Sequence, residues 1–225
     1  MFWKNKSKKT ENKDGVDYSV YVITDSVICP PERLLFQIEE AVLGGATVIQ
    51  LREKKADSLT FYKTTIDVYA VAKKHGVPLI INDRTDMMLA AGCDGLHIGQ
   101  KDLPAAVARK LIGQNKILGV SVSTADEAKK AVADGADYLG VGAVFPTGTK
   151  DDADSVSLEM LKEIKETVGI PVVAIGGISK ETIPKLTGTN IDGVAVVSAV
   201  MGSSAPKNAT EEIKSAFDKI RNVSK

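Results

Sequence analysis

The sequence predicts a single (β/α)8 TIM barrel, and three observations support this fold class. From Tyr18 onward, short runs rich in β-branched residues alternate with longer amphipathic stretches. Eight such strand–helix units fit in about 205 residues, and the strands are apolar almost throughout, as in a parallel sheet covered on both faces. No Gly-x-Gly-x-x-Gly follows the first strand, which disfavours the alternative, an open doubly wound sheet.

The elements follow in order along the chain. Strands are predicted over residues 19–24, 47–51, 78–82, 95–98, 117–121, 138–144, 171–175 and 193–197. Helices are predicted over residues 31–43, 59–74, 124–133, 157–168 and 180–186. Glycines before three of the strands, as in Gly135-Ala136-Asp137, are typical of a helix end followed by a tight turn. Residues 1–17 are polar and predict a flexible tail, and residues 18–225 are predicted to form the barrel domain.

Composition restricts the classes of function. The chain has 225 residues with 29 basic and 29 acidic side chains, so its charge does not indicate a nucleic-acid or membrane partner. No apolar run approaches a membrane span, and the first residues lack the apolar segment of a secretory signal. Cys29 and Cys93 have no metal-ligand or redox spacing. These features predict a cytoplasmic protein and leave its oligomeric state, including a homo-oligomer, open.

Polar or glycine-rich segments follow seven of the eight predicted strands. The carboxyl ends of barrel strands open on one face, so these segments are expected to form one rim. The segment Phe145-Pro146-Thr147-Gly148-Thr149-Lys150 combines two hydroxyls with an ammonium group, which are donors suited to phosphate oxygens. Gly176-Gly177 and Val197-Ser198 follow the last two strands, whose loops commonly hold a phosphate in barrels.

Two carboxylates on this rim, Asp83 and Asp102, do not suit a simple phosphate site, because free carboxylates repel phosphate. A Mg²⁺ ion between them and phosphate oxygens would remove the conflict. The sequence therefore predicts a magnesium-assisted anion site near strands two to five. A second site, built from neutral donors, is predicted near strands six to eight. Two anion sites imply two small phosphorylated substrates, one of which carries a diphosphate.

Each residue also has a purely structural interpretation. Asp83 could cap the helix that starts near Thr85, and Asp102 could lie in a helix entry turn. Arg52 and Lys54 could form solvated ion pairs. His97, on the fourth strand, is either a hydrogen-bonded barrel residue or a ligand contact, and the sequence leaves both open.

Seven motifs together identify a family. The chain resembles the thiamine-phosphate synthases over residues 18–200. The motifs are Gln50-Leu51-Arg52-Glu53-Lys54, Ile81-Asn82-Asp83-Arg84, Gly95-Leu96-His97-Ile98-Gly99-Gln100-Lys101-Asp102-Leu103-Pro104, Gly119-Val120-Ser121, Phe145-Pro146-Thr147-Gly148-Thr149-Lys150, Ala174-Ile175-Gly176-Gly177-Ile178 and Val196-Val197-Ser198-Ala199-Val200.

The resemblance implies that hydroxymethylpyrimidine diphosphate and hydroxyethylthiazole phosphate are joined, giving thiamine phosphate and diphosphate. It implies that Gln50, Leu51, Arg52, Glu53, Lys54, Asn82, Ser121 and Lys150 bind the pyrimidine diphosphate, with catalytic roles for Arg52, Lys54, Ser121 and Lys150. It implies that Thr147, Gly148, Thr149, Gly177, Val197 and Ser198 bind the thiazole phosphate, and that Asp83 and Asp102 bind Mg²⁺.

The sequence departs from the family pattern at two positions and leaves three rival functions open. Lys101 stands where an acidic residue is common, and Gly148 replaces a larger residue between the two threonines. The acidic run 151–154 is interpreted as a mobile loop that could close over the site. The rivals are a thiazole tautomerase of the same superfamily, a non-catalytic phosphometabolite-binding barrel, and a phosphate-binding barrel isomerase of amino-acid biosynthesis. The Mg²⁺-diphosphate residues argue against the tautomerase.

Overall fold

Eight parallel strands close into a barrel, which confirms the predicted fold class. The computed structural model describes residues 15–146 and 155–223. The strands pair in chain order, with β8 returning to β1. They are β1 Val20–Ile23, β2 Val48–Leu51, β3 Leu79–Asn82, β4 Gly95–Ile98, β5 Ile117–Val122, β6 Tyr138–Val141, β7 Val172–Ile175 and β8 Gly193–Val196.

Helices connect the strands on the outside of the barrel. They are α1 Pro31–Leu43, α2 Ser58–Lys74, α3 Thr85–Ala91, α4 Ala105–Ile112, α5 Ala125–Ala133, α6 Leu158–Thr167, α7 Ser198–Met201 and α8 Pro206–Val223. The starts of α2, α5 and α6 are capped by the side chains of Asp57, Thr124 and Ser157, which accept backbone N–H groups of the first turn. No helix within the described residues is long and apolar enough to cross a membrane.

Two predicted elements differ from the structure. The helix predicted over residues 180–186 is a single 3-10 turn, Ile183–Leu186. The Thr182 hydroxyl accepts from the Ser179 N–H (2.8 Å) and donates to the Gly177 carbonyl (2.9 Å). Residues 177–182 therefore form a hydrogen-bonded turn in place of the start of the predicted helix. The sixth strand ends at Val141 instead of residue 144. Beyond it, the N–H groups of Val144 and Phe145 donate to the carbonyls of Ile175 and Gly176, outside the regular strand pairing.

The strands separate two apolar layers. Residues that point outward pack under the helices and form the larger core. Residues that point inward fill the barrel, and the largest are the aromatic side chains of Tyr18, Tyr21 and Tyr138. This alternation decides which rim side chains can reach the mouth of the barrel.

Three aspartates fasten the amino-terminal end of the barrel by the same arrangement. Asp94, Asp137 and Asp192 each stand just before an even-numbered strand and accept the N–H of a residue at the start of the preceding odd-numbered strand. The distance from the backbone nitrogen to the carboxylate oxygen is 2.8 Å for Leu79 and Asp94, 2.8 Å for Leu118 and Asp137, and 2.7 Å for Val172 and Asp192. Each carboxylate also accepts a hydrogen bond from a side chain of an outer helix. The donors are Tyr69 to Asp94 at 3.0 Å, Arg109 to Asp137 at 2.5 Å and Lys165 to Asp192 at 2.7 Å.

Candidate functional site

The carboxyl ends of β2 to β5 bring most of the predicted diphosphate and metal residues to one face of the barrel. Gln50 and Asn82 are inward positions on β2 and β3, and Ser121 is an inward position near the end of β5. Arg52, Glu53 and Lys54 follow β2 in irregular structure. Lys150 lies outside the described residues.

The residues that follow β2 have two different roles. The Arg52 guanidinium donates to Asp25 (2.7 Å), and its backbone N–H donates to the Thr24 hydroxyl (3.0 Å), so the loop after β1 holds it in place. Glu53 accepts from the Ser26 hydroxyl (3.1 Å) and from two backbone N–H groups of its own turn. Glu53 therefore shapes the loop that presents Arg52 and Lys54.

The side chain of Leu51 points away from the mouth of the barrel. Its side chain is buried in the outer core, between the sheet and the helices. Strand alternation explains this, because Gln50 points into the barrel and the next residue must point away from it. Only the backbone of Leu51 could reach a ligand at the mouth.

Asp83, Asp102 and Lys54 form a compact charged group. The Lys54 ammonium donates to Asp83, and the Asp83 and Asp102 carboxyls are hydrogen-bonded to each other. Asp83 has a left-handed backbone (φ 60°), which aspartate tolerates better than most residues. The Asp83 side chain does not cap α3, so that structural alternative is not observed. Asp102 does hold a turn, since it accepts from the Gly99 N–H at 2.7 Å.

The pKa values of the Asp83 and Asp102 carboxyls are shifted in opposite directions. Burial raises the pKa of Asp83, but hydrogen bonds from Lys54 and Asp102 and the Lys54 charge outweigh it, so the net pKa is lowered. Burial raises the pKa of Asp102; the Gly99 N–H opposes this, and the hydrogen bond and charge of Asp83 add to the rise. The pair behaves as two acids competing for one proton, which is typical of a site that a cation would relieve.

The donor set suits a hard cation. Within the described residues, no group of three His, Cys, Asp or Glu side chains is placed to hold a metal. Mg²⁺ commonly takes only one or two carboxylates and completes its shell with water and substrate phosphates. The Asp83–Asp102 pair therefore fits a Mg²⁺ ion that binds together with a phosphorylated substrate.

His97 is a hydrogen-bonded barrel residue, which was one of its two predicted alternatives. Its Nδ1 lies 2.9 Å from the Tyr138 hydroxyl and its Nε2 lies 2.9 Å from Ser121 Oγ. The Ser121 carbonyl accepts from Gln100 (2.7 Å), which ties the loop after β4 to the end of β5. Sequence reasoning did not assign Tyr138 or Asp25, since one is part of an apolar strand and the other follows a strand with no motif.

The predicted second anion site is only partly within the described residues, because Thr147, Gly148 and Thr149 lie outside them. Gly177 has a positive φ of 60°, and a Cβ there would lie 2.6 Å from the Pro146 carbonyl oxygen. The turn after β7 therefore packs directly against the end of the Phe145-Pro146 segment. Val197 precedes α7 and faces the barrel interior, and Ser198, the first residue of α7, is exposed.

Known proteins match the chain over most of its length. The family model for thiamine monophosphate synthase matches residues 20–200. A thiamine-phosphate synthase of Alkaliphilus oremlandii is 53% identical over 202 residues, which cover 90% of this chain and 97% of the relative. One from Clostridium tetani is 52% identical over 204 residues, covering 91% and 98%.

Solved structures agree with this match. A thiamine phosphate pyrophosphorylase from Pyrococcus furiosus superposes with a TM-score of 0.84 at 40% identity, covering 91% of this chain and 98% of that one. A 3-hexulose-6-phosphate synthase is 20% identical with a TM-score of 0.66, which shows a shared fold.

Proposed function

The chain belongs to the thiamine monophosphate synthase family and is a transferase, and from this premise we propose that it joins hydroxymethylpyrimidine diphosphate to hydroxyethylthiazole phosphate. The products are thiamine phosphate and diphosphate. One observation carries the proposal: a carboxylate pair, Asp83 and Asp102, stands beside the Lys54 ammonium at the barrel mouth, and Arg52 lies in the same segment as Lys54.

In the proposed reaction, the C–O bond to the diphosphate breaks first and the leaving group keeps the electron pair. The pyrimidine-methyl cation is then captured by the lone pair of the thiazole nitrogen, which forms the new C–N bond. No proton has to be removed, so a strong base is not required. This fits the rim, where the inward strand positions carry amide and hydroxyl groups and the segment after β2 carries the cations.

The chain's own residues would stabilise charge on the leaving diphosphate. Arg52 is already oriented by Asp25, so it can bind an oxygen of the diphosphate without rearranging. Lys54, Ser121 and Lys150 would bind further oxygens, and Gln50 and Asn82 face the space below them. Asp83 and Asp102 would hold Mg²⁺, which when bound supplies Lewis-acid neutralisation of the diphosphate.

The thiazole phosphate would serve as a handle that fixes the orientation of the nucleophile. Gly177, Val197 and Ser198, with Thr147, Gly148 and Thr149, would bind it on the opposite side of the mouth. The close approach of Gly177 to Pro146 supports this assignment, because it places backbone from β6 and β7 side by side.

The test is a coupling assay with both substrates, in Mg²⁺ and in excess EDTA. We expect metal-dependent release of thiamine phosphate and diphosphate. Lys54→Ala should lower the coupling rate sharply. Lys74→Ala is the matched control, since Lys74 also pairs with a carboxylate, Glu39, but on the outer surface. Binding of thiazole phosphate without any coupling would refute the proposal and favour the tautomerase.

A further inference from the structure

A continuous chain of hydrogen bonds runs through the barrel interior and ends at Ser121. Gln50 Nε2 donates to the Tyr21 hydroxyl at 2.8 Å. The Tyr21 and Tyr138 hydroxyls are 2.7 Å apart, Tyr138 is 2.9 Å from His97 Nδ1, and His97 Nε2 is 2.9 Å from Ser121 Oγ. Five side chains from β1, β2, β4, β5 and β6 are thus linked in one line.

The barrel makes room for this line by omitting side chains. A Cβ at Gly119 would lie 2.1 Å from the Tyr138 ring, so only glycine fits beside that ring. A Cβ at Gly140 would lie 3.1 Å from the His97 ring. Gln50, Tyr21, Tyr138 and His97 are all buried, so the line is closed to solvent except at its Ser121 end. A buried polar line of this kind must satisfy its own donors.

Counting protons fixes the direction of the line. Burial raises the pKa of both phenols, so both keep their protons. Among the described residues, the hydrogen bonds of Tyr21 are with Gln50 and Tyr138, and Gln50 is a donor. Tyr21 must therefore donate to Tyr138, and Tyr138 must donate to His97 Nδ1. A ring nitrogen that accepts leaves the other nitrogen, Nε2, to carry the hydrogen and donate to Ser121 Oγ.

The opposite direction carries a cost. If Ser121 donated to Nε2, then Nδ1–H would donate to Tyr138 and Tyr138 would donate to Tyr21. With the Gln50 amide oriented as observed, its Nε2 toward Tyr21, Tyr21 would then accept twice, and its own buried hydroxyl would have no acceptor in the line. An unsatisfied buried donor is expensive, so the arrangement that starts from Gln50 is favoured.

We propose that Tyr138 and His97 are positioning residues that, with Gln50 and Tyr21, hold the Ser121 hydroxyl proton pointing out of the line and toward the barrel mouth. Because Ser121 Oγ accepts from His97, its hydroxyl is free to donate to an anionic oxygen above it. The line thus delivers a hydrogen-bond donor of fixed orientation to the site. The catalytic benefit rests on the proposed function, in which that oxygen belongs to the leaving diphosphate.

The direction of the line can be read from the imidazole tautomer. The chain has two histidines, His75 and His97, so ¹⁵N-histidine labelling gives two imidazoles, and His75→Gln assigns the remaining one to His97. We expect the neutral Nε2–H tautomer for His97 in the substrate-free protein. A substantial Nδ1–H population would overturn the proposal. This measurement needs no substrate, so it stands whether or not the protein couples the two heterocycles.

Tyr138→Phe tests whether the direction matters for catalysis. We expect kcat to fall about tenfold, with the KM of each substrate within about twofold. In a Ser121→Ala background the same change should have no further effect, because Tyr138 acts only through Ser121. An equal loss of kcat in both backgrounds would refute a positioning role.

Tyr21→Phe is the matched control. It removes a phenol hydroxyl from the same interior, yet Tyr138 still has only His97 to donate to within the line. The Nε2–H tautomer of His97 should therefore persist, and kcat should fall less than in Tyr138→Phe. Loss of the tautomer in Tyr21→Phe would contradict the proton count. If Tyr138→Phe does not fold, the tautomer of the parent protein and of Tyr21→Phe still decides the proposal.

Discussion

The two ends of the barrel use aspartates in opposite ways. At the amino-terminal end, Asp94, Asp137 and Asp192 each accept a backbone N–H and a helix side chain. At the carboxyl-terminal end, Asp83 and Asp102 are hydrogen-bonded to each other, and one lysine serves the pair. The first set has its negative charge matched by donors, whereas the second set has two acids in direct contact.

This difference separates residues that stabilise the fold from residues that bind ligands. A carboxylate whose charge is matched by a backbone N–H and a helix side chain contributes to folding and has little left for a substrate. Beside Asp83 the pKa of Asp102 is raised, which is a cost in the free protein that a cation bound to both carboxyls would relieve. The same residue type is therefore structural at one end and functional at the other. Variants at the two ends should consequently fail in different assays.

The largest effect is expected for Asp83→Ala in the coupling assay. Removing this carboxylate should lower Mg²⁺-dependent coupling on the order of 10³-fold, about 4 kcal/mol, while thiazole phosphate still binds. Steady-state rates measure the loss of coupling, and isothermal titration measures the binding of thiazole phosphate. Asp83→Asn is the control for the left-handed backbone, which asparagine also tolerates, and it should lose activity similarly. Full activity in either variant would refute the metal assignment.

Asp137→Ala should lower the stability of the fold and leave the activity of the folded protein unchanged. It leaves the buried guanidinium of Arg109 without its carboxylate and the Leu118 N–H without an acceptor, which should cost about 3 kcal/mol in the free energy of unfolding. Urea denaturation measures this, and kcat of the folded variant should be unchanged. Asp192→Ala is the matched comparison and should cost less, since its Lys165 pair is more exposed. Equal losses at the two positions would contradict the role of burial.

Ser198→Asp tests the other side of the mouth. A carboxylate at the start of α7 would repel a phosphate bound there, so the KM for thiazole phosphate should rise about 30-fold, roughly 2 kcal/mol. The KM for the pyrimidine diphosphate should change little. Ser203→Asp introduces the same charge beyond the end of α7 and is the control. An unaltered KM in Ser198→Asp would refute this placement.

The sequence predicted the barrel because its evidence is local. Each strand is a short apolar run and each turn carries its own glycine, so strand and helix positions follow from the pattern along the chain. One exception was the end of the sixth strand, at Val141 instead of residue 144. The larger exception was residues 180–186, where Thr182 bonds to Ser179 and Gly177 and replaces the first helical turn. That hydrogen bonding depends on the turn after β7, which periodicity does not reveal.

The site was predicted less completely, for a physical reason. Asp83, Asp102 and Lys54 could be placed on one rim, because all follow strand ends. The carboxyl–carboxyl contact, the support of Arg52 by Asp25, and the outward-facing Leu51 depend on side-chain directions across different strands. Tyr138 looks like one more apolar strand residue, and only the closed barrel shows that its hydroxyl meets His97 and Tyr21.

The smallest effect is expected for Asp102→Asn in the absence of metal, and it concerns stability. The pKa of Asp102 is raised in the folded protein, so folding favours its protonated form, and that contribution is lost as pH rises through the folded pKa. At neutral pH in EDTA, Asp102→Asn should therefore raise the free energy of unfolding by a few tenths of a kcal/mol, reduced by solvent exposure.

Below the ordinary aspartate range the gain from Asp102→Asn should disappear, because Asp102 is then protonated in both the folded and the unfolded state. Urea denaturation at neutral and acid pH measures this, and Asp67→Asn on the exposed face of α2 is the control. A gain that persists at acid pH would mean that Asp102 costs stability for a reason other than its charge. A loss at neutral pH would mean that its bond to Gly99 outweighs the contact with Asp83, which would remove the contrast between the two ends of the barrel.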